Sequence, residues 1–300
     1  MMSTTSRVAR FRARAERKLV WEAGRYADRH TGDFDRLESL SPIVATRTEP
    51  TFLLWTRDRE MGQTLYHEGG YDAAELAWSL DHLGHPQRGR TVVEVGANIG
   101  TTTVPLLLLH GAAHVEAFEP EPANFKLLRC NLILNDVEDR ATLAQIAISD
   151  SDGAVQLELC DWNAGDHRIR AVDPSWELLA ESSRPSITVR SARLEDALGS
   201  DPSDVGLVWV DTQGHEAHVL AGAGALLAAG VPWIIEYWPY GLTRSGGLDS
   251  LHELIADHFS TVVDVRRSMD EGRPAIIGSA DVATAARQTS DAYTDLILIP

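Results

Sequence analysis

The chain is poor in cysteine, in long apolar runs and in basic charge. Its 300 residues hold two cysteines, Cys130 and Cys160, too few for a disulfide framework or the usual zinc modules. The longest stretch free of charge and histidine, 219–235, has 17 residues, short of the ~20 that a bilayer core requires. It also contains Gly222, Gly224, Gly230 and Pro232, which suit a helix, a turn and a strand in succession. Lysine and arginine number 27 against 44 aspartates and glutamates, a net charge of −17. That balance argues against a nucleic-acid binder, whose affinity rests on neutralising phosphates. Repeats and low-complexity tracts are also missing. What is present is 44% hydrophobic and 24% charged residues, the proportions of a packed globular protein.

The basic residues are unevenly spread. Eight fall in the first 30 positions, against three acids. An apolar run of roughly 7–15 residues does not accompany them, so a secretory signal is not expected, and the acids do not suit a transit peptide. The expectation is a basic helical arm on a soluble, cytoplasmic protein without a membrane span.

Residues 1–88 read as this arm plus a helical segment, and 89–300 as the main domain. Ala73, Leu76, Ala77, Leu80 and Leu83 recur at helical spacing over 72–83, before a break at 85–89. From Thr91 onward short apolar runs alternate with helical stretches. Strands are expected at 92–95, 114–118, 143–148, 207–210, 233–237, 261–265 and 295–299, and helices at 101–109, 123–135, 215–229 and 248–257. Strands apolar at consecutive positions and separated by helices mark an α/β protein with a mainly parallel sheet covered on both faces. A strand pair at 155–159 and 187–190 interrupts this pattern as an insertion between the third and fourth core strands.

The most informative segment is Glu94-Val95-Gly96-Ala97-Asn98-Ile99-Gly100, where a strand ends in glycines and a helix follows at once. Such glycines let the backbone turn sharply and approach a ligand at a helix N-terminus. A dinucleotide fingerprint needs glycines at 96, 98 and 101, but Asn98 and Thr101 stand at the last two. Glu94 would repel a diphosphate and attract the ammonium of an amino-acid-like ligand. The combination favours S-adenosylmethionine over a nicotinamide dinucleotide. Glu119 ends the next strand, 19 residues after Gly100, where an acid can accept hydrogen bonds from both ribose hydroxyls.

Over residues 92–240 the sequence resembles the FkbM family of methyltransferases, within the class I S-adenosylmethionine-dependent superfamily. The matching segments are 94–100, Ala117-Phe118-Glu119-Pro120-Glu121-Pro122, Asn131-Leu132-Ile133-Leu134-Asn135, Ala147-Ile148-Ser149-Asp150 and Asp211-Thr212-Gln213-Gly214-His215-Glu216. The resemblance implies a doubly wound, Rossmann-like sheet of seven strands with the last antiparallel. It also implies O-methylation of a hydroxyl on a sugar, polyketide or similar acceptor. By the same resemblance Gly96, Asn98 and Gly100 line the methionine end of the cofactor, Glu119 with Pro120 lies at the ribose, and Ala147 sits beside the adenine. Where the family often reads Lys-Ile-Asp-Val-Glu-Gly, this chain has Trp209-Val210-Asp211-Thr212-Gln213-Gly214, replacing the lysine by Trp209 and the glutamate by Gln213.

Methyl transfer to a hydroxyl calls for alignment, exclusion of water and a base. The candidates at the ends of the fourth and fifth strands are Asp211, His215, Glu216 and Glu236. His215 is the preferred base, because a helix N-terminus disfavours imidazolium. Asp211 and Glu216 would orient it or bind the donor's ammonium, and Glu236 and Trp238 would face the acceptor. Trp162, His167, Trp176, Trp233, Tyr237 and Tyr240 are aromatic candidates for stacking, and 66–71 for a cover over the cofactor. Three alternatives stay open: a divalent ion held by Asp211 and Glu236, an inactive cofactor-binding partner protein, and a nicotinamide oxidoreductase.

Overall fold

The computed structural model describes residues 34–170, 181–283 and 293–300; the expected basic arm and Trp176 fall outside them. The N-terminal part runs α1 (Phe34–Leu40), β1 (Ile43–Ala45), β2 (Leu53–Trp55), α2 (Met61–Glu68) and α3 (Ala73–His82). Then follow β3 (Thr91–Val95), α4 (Thr103–Leu108), β4 (His114–Phe118), α5 (Pro122–Leu134) and β5 (Ala141–Ala144). The insertion comprises β6 (Ala147–Ser149), β7 (Gly153–Glu158), β8 (Arg168–Ile169) and β9 (Ser186–Arg193). After α6 (Leu194–Ala197) come β10 (Val205–Val210), α7 (Glu216–Ala221), α8 (Gly224–Ala228), β11 (Trp233–Tyr237), α9 (Pro239–Arg244) and α10 (Leu248–His258). The chain closes with β12 (Thr261–Asp264), α11 (Val265–Glu271), β13 (Ala275–Gly278) and β14 (Thr294–Ile299).

The central sheet has the order β13-β12-β14-β11-β10-β3-β4-β5. Strands β5, β4, β3, β10 and β11 are mutually parallel. Strand β14 runs antiparallel between β11 and β12, and β13 adds an antiparallel edge. The sheet therefore has eight strands among the described residues, not seven; β13 is a short edge strand whose alternate residues Ile276 and Gly278 are exposed. Three further expectations change. The single strand at 143–148 divides, β5 staying in the central sheet while β6 joins a second sheet, β6-β9-β7-β8. The helix over 215–229 breaks into α7 and α8 at Gly222, where a Cβ would lie 2.1 Å from the Ser149 carbonyl oxygen. The strand expected to reach Val265 stops at Asp264, whose side chain caps α11 by accepting from the Arg267 amide.

Alternate residues of the central strands feed two apolar layers. Val92, Leu207, Trp209 and Ile234 pack on one face with Phe34, Phe52, Leu54, Leu65 and Leu80 of the N-terminal segment and Leu128 of α5. Val93, Val95, Val208, Val210 and Ile235 pack on the other with Leu220, Leu251 and Ile255. Among the described residues no helix is long and apolar enough to cross a membrane.

The segment 131–135 has a physical reason for its two asparagines. They lie one helical turn apart, Asn131 on α5 and Asn135 at its C-terminal cap, and each hydrogen-bonds the backbone edge of the extended segment that forms β2. Asn131 accepts from the Leu53 amide (2.7 Å) and donates to the Leu53 (3.1 Å) and Ile99 (2.7 Å) carbonyls. Asn135 accepts from the Thr51 amide (3.1 Å) and donates to the Thr51 carbonyl (2.7 Å). Asn131 is fully buried, so its loss strands three backbone groups. Asn131→Leu should destabilise the protein by about 3 kcal/mol and lower Tm by roughly 5–10 °C; a melting temperature within 1 °C of wild type, on the order of measurement error, would show the tie to be dispensable.

Candidate active site

The parallel strands deliver their C-terminal ends to one edge, and the order reverses between β3 and β10. A ligand crevice belongs at such a switch point. A cavity of about 720 Å³ opens there, lined among others by Glu94, Gly96, Asn98, Glu119, Pro120, Ala147, Asp211, Gln213, His215, Glu236 and Trp238. Gly100 and Glu216 are not on its wall.

The bend after β3 is fixed from below. The Gly96 and Ala97 amides both donate to the Phe118 carbonyl, at 2.9 and 3.1 Å. Gly96 has φ +89, and a Cβ on it would sit 1.8 Å from the Asp211 carbonyl oxygen, so no side chain fits. Gly100 serves the core instead: its Cβ would meet Leu128 Cδ1 at 2.9 Å. Asn98 takes φ +51 and donates through Nδ2 to Met61 Sδ at 3.4 Å. Its Oδ1 is buried without a hydrogen-bond partner.

Two carboxylates flank the bend. Glu119 accepts from the Asn98 amide (2.9 Å) and the Glu121 amide (2.7 Å), yet burial pushes its carboxyl up to about 8. Glu94 accepts from the Thr103 hydroxyl (2.6 Å), and burial likewise raises it to about 8. Its cross-strand neighbours are Ala117 on β4 and Trp209 on β10. The position where the resemblance implies a lysine is thus occupied, beside Glu94, by the neutral Trp209.

At the ends of β10 and β11, Gln213 Nε2 donates to Asp211 Oδ1 (2.7 Å) and to Glu236 Oε2 (3.0 Å). Gln213 takes φ +55, which turns its amide back over the strand ends. Desolvation raises the Asp211 carboxyl. Asp295, at the start of antiparallel β14, is the direct partner of Glu236 in the sheet. Burial, then Asp72 and Asp211, raise Asp295 well above the usual range, and burial raises Asp72 to about 7.

His215 lines the cavity, whereas Glu216 lies behind it. His215 Nε2 is engaged with Ser149 Oγ at 2.9 Å, its ring stacks on His218 at 4.2 Å, and burial lowers its pKa to about 3. It is neutral, as expected, but a weak base. Glu216 points into the preceding loop, where one oxygen accepts from the Thr212 amide and hydroxyl (both 2.9 Å) and the Gly214 amide (3.2 Å). It shapes the loop that carries Gln213.

The insertion forms the remaining wall. Arg168 donates to Asp166 (2.6 Å) and Glu181 (2.8 Å) and lies 4.4 Å over the Trp238 ring. Arg184 donates to Asp166 at 2.7 Å, and Arg244 to Glu158 at 2.7 Å. These arginines are matched by acids of their own. The strap 162–165 is held down by Ala164, which donates to Asp58 (3.1 Å) and accepts from Asn124 (2.9 Å). Trp162, His167 and Tyr240 line the cavity. Trp233 lies in the core, Tyr237 is buried and bonded to His252, and Tyr66 and His67 pack on Phe34; only Tyr71 of 66–71 reaches the wall. Among the described residues no group of three or more His, Cys, Asp or Glu gathers as a metal site. Asp72, Asp295 and the bridging role of Gln213 carry no local sequence signal.

The fold is an open α/β sheet with a glycine bend and carboxylates at its switch point, the place where such sheets hold their ligands. Residues 94–260, more than half of the chain, match the Methyltransferase FkbM domain, and the chain belongs to that family. It is 27% identical over 146 residues to 2-O-methyltransferase NoeI of Sinorhizobium fredii, covering 44% of this chain and 56% of that protein. It is 28% identical over 234 residues to 31-O-demethyl-FK506 methyltransferase FkbM of Streptomyces tacrolimicus, covering 70% and 85%. The chain thus spans little more than half the length of the first of these relatives. Methyltransferase FkbM of Methylobacillus flagellatus, a crystal structure, aligns at 17% identity with a TM-score of 0.38, over 56% of this chain and 37% of that one.

Raised carboxyls set a pH dependence. Between the unfolded value of ~4.3 and about 8, the folded state keeps protons on Glu94 and Glu119 that the unfolded chain has released. Stability therefore falls as pH rises through that window. Above pH ~7 the depressed His167 and His215 add no slope, being neutral in both states. The ligand-free protein should melt a few degrees lower at pH ~9 than at pH ~7, and Glu94→Gln should flatten the trend. A wild-type Tm that rises over this range would show both groups ionised in the folded state.

Proposed function

We propose that the chain is an S-adenosylmethionine-dependent O-methyltransferase of a sugar, polyketide or other small hydroxylated acceptor. The observation that carries this reading is the glycine bend flanked by two cavity-lining carboxylates, Glu94 and Glu119. The site's chemistry fits a cationic nucleoside. Glu94 and Asp211 attract an ammonium, and a sulfonium in the same cavity relieves the repulsion among these acids. Glu119 keeps acceptor capacity beyond its two backbone bonds, since a carboxylate offers about four lone-pair sites for ribose hydroxyls. The unpartnered Oδ1 of Asn98 is an acceptor awaiting a donor. Ala147 and Ile148 give a small apolar wall for an adenine.

When bound, the cofactor supplies a methyl carbon already activated on sulfur. The protein's share is to hold the acceptor oxygen in line, to exclude water and to take the hydroxyl proton. Trp238 and the strap at 162–165 line the same cavity and would exclude water from the acceptor. The names of NoeI and of the Streptomyces FkbM both specify oxygen as the methylated atom, which supports O-methylation here.

Glu119→Ala should weaken S-adenosylmethionine binding at least about tenfold, the loss of one charge-assisted hydrogen bond, while leaving a cooperative melt. Calorimetric titration tests it: an unchanged affinity would remove Glu119 from the cofactor site.

A further inference from the structure

We infer that Asp211 and Glu236, bridged by the Gln213 amide, act as one carboxyl pair that takes the acceptor's hydroxyl proton. This rests on the methyltransferase reading above. The pair is built by topology: β10 and β11 are parallel neighbours, so Asp211 and Glu236 arrive at the same edge. Gln213 reaches both from a left-handed backbone position, at 2.7 and 3.0 Å. Both carboxyls and the amide line the cavity.

His215 also lines the cavity, but its Nε2 is engaged with Ser149, its ring stacks on His218, and burial holds it down to about 3, so the carboxyl pair is the stronger proton acceptor. In the transfer step a C–O bond forms as the C–S bond breaks, sulfur keeps the electron pair, and the hydroxyl proton passes to the ionised member of the pair. Two carboxyls sharing one site cannot both ionise readily, so the pair holds one proton and accepts a second. The charged and titratable groups around it come from every neighbouring element: Glu94 from β3, Glu119 after β4, Asp166 from the insertion, Glu216 from α7, Asp295 from β14, and Tyr71 and Asp72 before α3, with Arg266 opposing Asp72 and Asp295.

Gln213 is a positioning residue. Its amide donates to both acids; the glutamate that the family often carries there would place a third carboxylate beside them. That substitution gives a conservative test.

Two measurements decide the inference. Carboxyl carbon-13 NMR on the ligand-free full chain should show Asp211 and Glu236 titrating in two linked steps. Glu236→Gln should collapse these to one, and Gln213→Glu should move the upper step up by about one pH unit or more. Independent titration of Asp211, unaltered by Glu236→Gln, overturns the pair. Transfer of tritiated methyl from S-adenosylmethionine to a panel of methyl glycosides and macrolactone alcohols is the second. Glu236→Gln should lower kcat about 100-fold or more with the cofactor Kd within about threefold, and Gln213→Glu should shift the rising limb of kcat to higher pH. Wild-type turnover in Glu236→Gln sinks the pair alone. Wild-type protein that binds the cofactor and labels no acceptor sinks the methyltransferase reading, and the pair's role with it.

Discussion

The close approach of the bend after β3 to the end of β10 is the constraint on which the site depends. Gly96 sits so near the Asp211 carbonyl that a methyl group cannot enter. This contact fixes the bend against Asp211, and the Asp211 amide reciprocates by donating to the Val95 carbonyl at 2.9 Å. Everything else in the cavity is referenced to that joint. The Asn98 amide faces Glu119 because the bend turns there, and Asn131 secures the Ile99 carbonyl from the opposite side. The N-terminal segment, tied to α5 through the same asparagine, is thereby coupled to the shape of the bend.

The second organising fact is accumulated negative charge. Parallel strands β3, β4, β10 and β11 each bring an acid to one edge, and antiparallel β14 adds Asp295 because its first residues start there. The insertion's arginines do not neutralise it, since Arg168 and Arg184 are matched by Asp166 and Glu181. The acids respond by holding protons above their ordinary range. A cation entering the cavity converts mutual repulsion into attraction, so the same charge distribution that costs the ligand-free fold stability favours a sulfonium ligand.

How much of this was legible in the sequence follows from how local each signal is. The glycine bend and Glu119 were readable because sharp turns and strand-end acids are local features, and the parallel core strands because burial on both faces makes them continuously apolar. The split of 143–148 was not, since both halves are apolar and only their partners differ. Strand β13 was missed because it is a half-exposed edge. Glu216 reads as a site acid from its place just after the fourth core strand, whereas its bonds to Thr212 and Gly214 turn it into the loop. Asp72 and Asp295 lie far from any motif, and only the strand order brings them to the cavity.

The two departures from the family pattern acquire a joint meaning in three dimensions. Trp209 lies beside Glu94 and Gln213 lies between Asp211 and Glu236. Each replaces a charged side chain with a neutral one at the switch-point edge. A neutral Trp209 leaves Glu94 with the Thr103 hydroxyl as its hydrogen-bond donor, while a neutral Gln213 spares the strand-end acids a third negative neighbour. The losses oppose each other in net charge but act on different carboxyls. The net result moves negative charge toward the bend and leaves a two-membered, amide-bridged pair at the acceptor side. On the reading proposed above, Asp211 belongs to both groups, standing between Glu94 on the bend side and Glu236 on the side of the bridging amide.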